Sequence, residues 1–243
     1  MRLDRRASVA FCFVVLFAIF FIGVLIMSSN QSPLELFIDI FEKKNQLARV
    51  LPDLVPPELV EAILQEFREL EYLGDTPTSY QLLRSSDQVL LDDTRALNKQ
   101  HITDKTRLIL QECEIPLPEG TQRPTQHLYM RELQTGKVYK LQWLPAIIGR
   151  PGQKQAHNDW VAVNLGSHRT GLRVSRRHAQ ITESRGNYFI ESLSSNPTAL
   201  EDSTGTRTVL EPNARYPLHH GNIIHLERSE IMLKFIIRTE ENR

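Results

Sequence analysis

The chain has 243 residues, 41% of them hydrophobic and 24% charged, and its 29 basic and 29 acidic side chains give a formal net charge of +0. That length and composition suit two modest folded domains, and the charge balance excludes a global pull toward nucleic acid or anionic lipid. Only two cysteines are present, Cys12 in an apolar run and Cys113 alone, which excludes a disulfide framework and a thiolate zinc site.

The chain opens with an apolar run from Val9 to Met27 that carries no charge. Its length, about 19 residues at ~1.5 Å rise each, matches the ~30 Å hydrocarbon core of a bilayer. Ser28-Ser29-Asn30-Gln31 follows, a poor match to the small-residue cleavage site of a secretory signal. The sequence therefore predicts a transmembrane helix within a membrane anchor at 1–28. A cleaved signal and a start at Met27 stand as alternatives. Arg2, Arg5 and Arg6 precede the run, and Glu35, Asp39 and Glu42 follow it. The positive-inside rule would export everything after the run.

Residues 34–41 are rich in β-branched and aromatic side chains, and 46–51 can return as a second strand across a polar turn. Pro56-Pro57 with Glu58 is a helix start, since proline fits the first turn and an acid complements the positive end of the dipole. Leu59, Ile63, Leu64, Phe67 and Leu70 then recur at helical spacing, and Gly74 ends the pattern. Short strands follow at 80–84, 89–91 and 106–110. The expected order is β-β-α-β-β-β over 33–112. It resembles the α+β ubiquitin-like (β-grasp) fold, closest to the bacterial ubiquitin-like domains found with type VII secretion components. Between 113 and 126, Pro116, Pro118, Gly120 and Pro124 mark a linker.

From His127 the pattern changes to many short apolar runs separated by turn residues, with no helical period. Such a pattern predicts an all-β sandwich or barrel over 127–238. Three polar motifs lie beside these runs in order: Gly149-Arg150, Ser175-Arg176-Arg177-His178 and Ser195-Asn196-Pro197-Thr198. With Leu218-His-His-Gly221 near the end, the ordered set resembles a forkhead-associated (FHA) domain. The resemblance implies a phosphopeptide-binding site, with Arg150, Ser175 and Arg176 on the phosphate and with Ser195 and Asn196 on the peptide main chain. It also implies structural support from Gly149, His178 and Thr198. The chemistry fits: a phosphothreonine carries about −1.5 to −2 charge and three strong acceptor oxygens, and arginine offers a planar fork of donors. Pro197 departs from the glycine common at that position in the family, and the 151–170 segment is longer than the family's usual spacing.

Other readings carry less. Arg177 is expected to point away as a solvated charge. Arg169, Arg173, Arg176 and Arg177 lack the aromatic platform and basic balance of a nucleic-acid surface, so no nucleic-acid partner is expected. His219, His220 and His225 have no acidic or cysteine ligand beside them in sequence, and no metal is expected. No nucleophile–base pair, P-loop or dinucleotide fingerprint appears, so neither an enzyme nor a cofactor is expected.

The expected protein is a membrane-anchored adaptor recognising phosphothreonine on a partner that is itself a substrate of a Ser/Thr kinase. The alternative is a structural component of a membrane or secretion complex acting through the ubiquitin-like part. The expected location is a single-pass membrane protein. Its FHA domain is placed in the cytoplasm on functional grounds, although the positive-inside rule favours the opposite side.

Overall fold

The computed structural model describes residues 20–21, 32–152 and 160–239. The first layer contains β1 (Phe20–Phe21), β2 (Leu34–Ile40), β3 (Lys43–Val50), α1 (Pro56–Glu66), β4 (Tyr80–Arg84), β5 (Val89–Leu90) and β6 (Arg107–Glu112). Its sheet runs β1-β3-β2-β6-β4-β5, with β2 parallel to β6 and antiparallel to β3. Helix α1 starts as its sequence dictates. Pro56 fixes φ in the first turn, and the Glu58 carboxylate accepts the Val55 N–H at 3.1 Å. Leu59, Val60, Ile63 and Leu64 form its buried face, packed with Leu36, Ile38, Ile40, Leu82, Leu108 and Leu110 of the sheet.

The second layer is a β-sandwich. One sheet holds β9 (Ala146–Gly149), β10 (Val161–Asn164), β11 (Ala179–Ser184), β12 (Asn187–Ser192) and β15 (Arg215–Leu218), in the order β10-β9-β11-β12-β15. The other holds β7 (His127–Glu132), β8 (Val138–Leu141), β13 (Thr198–Glu201), β14 (Arg207–Val209), β16 (Ile223–Leu226) and β17 (Ile231–Arg238), in the order β14-β13-β16-β17-β7-β8. Their facing side chains close one core that includes Leu128, Met130, Ile148, Val163, Ile181, Ile190, Leu233 and Phe235. The alternation of buried and exposed positions along β6, β12 and β17 is what the period of two in a half-buried strand produces.

Two expectations are corrected here. Most of the predicted transmembrane helix lies outside the described residues. The two residues within them, Phe20 and Phe21, are extended and pair in parallel with Ala48 and Arg49 of β3. A strand takes its hydrogen bonds from a neighbour, whereas a helix satisfies them internally. Among the described residues, no helix is long and apolar enough to cross a membrane. The single-pass membrane location is therefore not supported.

The second correction concerns the separate ubiquitin-like domain. Among the described residues the chain is mostly β-sandwich with one α-helix, and the helix-bearing layer is joined to the sandwich through buried polar contacts. Glu112 ends β6 at 7% exposure. Its carboxylate accepts from Tyr129 Oη at 3.1 Å and Lys140 Nζ at 2.7 Å and lies 3.6 Å from Arg238 Nη2, all three on the sandwich. The Arg238 guanidinium in turn lies 4.0 Å from the Phe41 ring centre and 5.2 Å from that of Tyr72. Lys234 pairs with Glu71 at 2.6 Å. A carboxylate so deeply placed persists only where partners offset its lost hydration, and those partners come from the other layer. Residues 114–126 also lie along the sandwich. Gln122 and Leu144 exchange main-chain hydrogen bonds at 2.8–2.9 Å, and Arg123 donates to the Gln142 carbonyl.

Candidate functional site

Four chain segments meet at one end of the sandwich: the exit of β9, the turn leading into β11, the loop from β12 to β13, and the short turn after β16. They surround an open groove of about 520 Å³ lined by Arg150, Leu172, Arg173, Val174, Ser175, Asn196 and Arg228.

Gly149 closes β9, and its lack of a side chain sets the geometry. A Cβ there would stand 2.1 Å from the Arg176 carbonyl oxygen and 3.0 Å from that of Ser175. Its φ is not in the left-handed region, so glycine is required for close approach and not for a turn. This contact brings the 175–177 loop against the strand and places Arg150 at the groove. Arg150 Nε donates to the Val174 carbonyl at 2.8 Å, which fixes the guanidinium plane.

Ser175 and Asn196 are joined. Asn196 Nδ2 donates to Ser175 Oγ at 3.0 Å, and Ser175 Oγ lies 2.6 Å from Ser194 Oγ. Ser194 Oγ also accepts the Asn196 main-chain N–H at 3.0 Å. Arg228 Nη1 donates to Asn196 Oδ1 at 2.8 Å, so both ends of that amide are held. Pro197, which stiffens this loop, accepts the Glu227 N–H through its carbonyl at 3.2 Å, joining the loop to the turn that carries Arg228.

His178 supports these loops from below at 1% exposure. Its Nδ1 accepts the Ser175 N–H at 3.4 Å and its Nε2 lies 3.1 Å from Thr198 Oγ1. An accepting Nδ1 assigns the proton to Nε2, which donates to Thr198. Thr198 is fully buried, and its hydroxyl lies 3.2 Å from Ser192 Oγ. Burial holds the imidazole neutral, lowering its pKa from 6.5 to about 4. The unfolded chain therefore takes up a proton that the folded chain refuses. This group's contribution is complete above about pH 6.5, declines as pH falls toward 4, and is absent below both values. The expected loss over that window is roughly 2–3 kcal/mol. It is checked by urea unfolding at pH 7 and pH 4.5, where a His178→Gln variant shows a shallower fall than the native chain.

The other sequence-predicted residues lie as follows. Arg176 and Ser195 are exposed on the loops that carry Ser175 and Asn196, and neither lines the groove. Arg177 turns from the groove, with its guanidinium 5.6 Å from the Trp160 ring centre. Sequence reasoning missed Ser194, Leu172 and Arg228, and it weighed Arg173 only for nucleic acid. Ser194 adjoins a serine of the same type, so only the loop's conformation distinguishes the two. Arg228 lies in Leu226-Glu-Arg-Ser229, which carries no turn or motif signal.

Residues 146–227 match the family model of the FHA domain. Several solved structures are similar over part of the chain. The FHA domain of human APLF, in complex with an XRCC1 bisphospho peptide, is 23% identical, covering 45% of this chain and 97% of that one at a TM-score of 0.35. Mycobacterium tuberculosis EmbR, in complex with a low-affinity phosphopeptide, is 24% identical over 49% of this chain and 26% of that one, at a TM-score of 0.36. The FhaA FHA domain, complexed with the intracellular domain of Rv3910, is 20% identical over 44% of this chain and 98% of that one, at a TM-score of 0.32. No curated protein sequence matches the chain. The family match lies wholly within the sandwich and leaves the helix-bearing layer outside it.

Proposed function

We propose that the groove binds phosphothreonine on a partner protein that is a Ser/Thr kinase substrate, and that the chain serves as a phosphopeptide-recognition adaptor. Arg150, Ser175 and Arg176 contact the phosphate. Ser195 and Asn196 hold the peptide main chain beside it, with Gly149, His178 and Thr198 fixing the loops. The observation that carries this reading is the convergence of Arg150, Ser175 and Asn196 on one groove whose lining contains no carboxylate among the described residues. These donors are held before any ligand arrives: Arg150 by Val174, and Asn196 by Arg228 and Ser175. Ordering them in advance removes an entropic cost from binding. Each charge-assisted hydrogen bond contributes roughly 1.5–3 kcal/mol, so three of them supply much of the ~8 kcal/mol of a micromolar complex.

The test is capture from a degenerate phosphothreonine peptide library by the full chain. Phosphorylated peptides are expected to be enriched, and phosphatase treatment of the library removes the enrichment. Equal capture before and after phosphatase contradicts the reading.

A further inference from the structure

The groove carries more positive charge than one phosphate neutralises. Arg150, Arg173 and Arg228 all line it, and Arg176 stands exposed on the same loop. A phosphothreonine brings about −1.5 to −2 charge, which Arg150 and Arg176 balance. Arg173 and Arg228 then remain. Arg228 Nη1 meets the side-chain carbonyl of Asn196, a neutral acceptor that orients the guanidinium without cancelling its charge. Neighbouring Glu227 is occupied by Arg207. Arg173 makes no ion pair among the described residues, and its backbone is fixed. Its N–H donates to the Thr170 carbonyl at 2.9 Å, and its carbonyl accepts from Asn196 Nδ2 at 3.3 Å.

The three guanidiniums that line the groove, with no carboxylate in its lining among the described residues, repel one another in the free protein. An anionic ligand relieves that repulsion when it binds. Beside them Leu172 is 85% exposed, an apolar side chain at the rim of a polar groove.

We propose, resting on the phosphothreonine reading, that Arg173 and Arg228 select ligands with a second negative group close to the phosphothreonine. That group is a carboxylate side chain or a second phosphate, and an apolar residue of the same peptide packs on Leu172. The ligand class is thus an acidic or doubly phosphorylated segment. Arg173 reads the second charge directly. Arg228 both reads it and holds Asn196 in place.

The test is calorimetric titration of the full chain with alanine-based peptides carrying one central phosphothreonine. The flanks are three alanines, three glutamates, three lysines, or alanines with a second phosphothreonine. The glutamate and doubly phosphorylated peptides are expected to bind at least about fivefold tighter than the alanine peptide, and the lysine peptide more weakly. The advantage shrinks as salt rises. Arg173→Glu, at an exposed position, reverses the order of the glutamate and lysine peptides. Arg228→Gln narrows the gap. Equal affinity for all flanks, or an unchanged order in Arg173→Glu, overturns this inference and leaves the phosphothreonine reading standing. If none of the phosphorylated peptides binds better than its unphosphorylated counterpart, that reading falls and this inference falls with it.

Discussion

Arg150→Ala is expected to weaken phosphothreonine-peptide binding by at least about thirtyfold while leaving the chain folded. The guanidinium offers several N–H donors in a fixed plane, and among the described residues only Nε is committed, to Val174. In the proposed mode of binding, removing it deletes charge-assisted bonds to the phosphate, each contributing roughly 1.5–3 kcal/mol. A methyl group cannot replace them, and water entering the site solvates the phosphate less well than a prearranged guanidinium. The cost to the fold is one hydrogen bond to the Val174 carbonyl at a half-buried position, about 1 kcal/mol. Arg150→Lys should fall between the two, because it restores charge but not the planar fork. Calorimetric titration of the three proteins with one peptide measures the affinities, and urea unfolding measures the fold. Native affinity in Arg150→Ala would remove this residue from the site.

Glu112→Ala is expected to cost about 3–5 kcal/mol of unfolding free energy, as breaking a buried ion pair from one side does. The carboxylate pairs with both Lys140 and Arg238 and accepts the Tyr129 hydroxyl. Lys140 is partly exposed and can turn toward water. Arg238 is nine-tenths buried, with one guanidinium nitrogen already lacking a hydrogen-bond partner among the described residues. It would keep its charge among Phe41, Tyr72 and Tyr129 with no anion beside it. None of these residues lines the groove at Arg150, so peptide affinity should hold while stability falls. Urea unfolding of the variant beside the native chain measures the loss. A loss below about 1 kcal/mol would mean that the contact between the layers does not depend on this carboxylate.

Part of the candidate groove was legible from the strand pattern. Gly149 and Arg150 lie at the end of β9, His178 directly precedes β11, and Ser175 and Asn196 lie four and two positions before β11 and β13. The sheet pairing of β9 with β11, and of β13 with β16, keeps their loops at one end. What the sequence hid depends on conformation or distance. Ser194 and Ser195 are chemically identical, and only the fold turns Ser194 inward. Arg228 reaches Asn196 from 32 positions away, from the end of the neighbouring strand β16.

The fold follows the same division. Apolar periodicity placed α1 and most of the strands close to where they lie. The interlayer contacts could not be read, because Glu112 in isolation is an ordinary polar residue at a strand end. The apolar run from Val9 to Met27 was read by length and hydrophobicity alone. Those properties do not encode the strand pairing that Phe20 and Phe21 adopt.

The most direct measurement is amide chemical-shift mapping of the isotope-labelled chain on addition of a phosphothreonine peptide selected from the library, with the unphosphorylated peptide as control. The expected result is a set of large, saturable shifts confined to residues 149–150, 173–178, 194–198 and 228, accompanied by a phosphorus resonance shift, with no comparable change from the control. Shifts centred elsewhere, or an equal response to both peptides, would contradict the assignment of this groove as a phosphothreonine site.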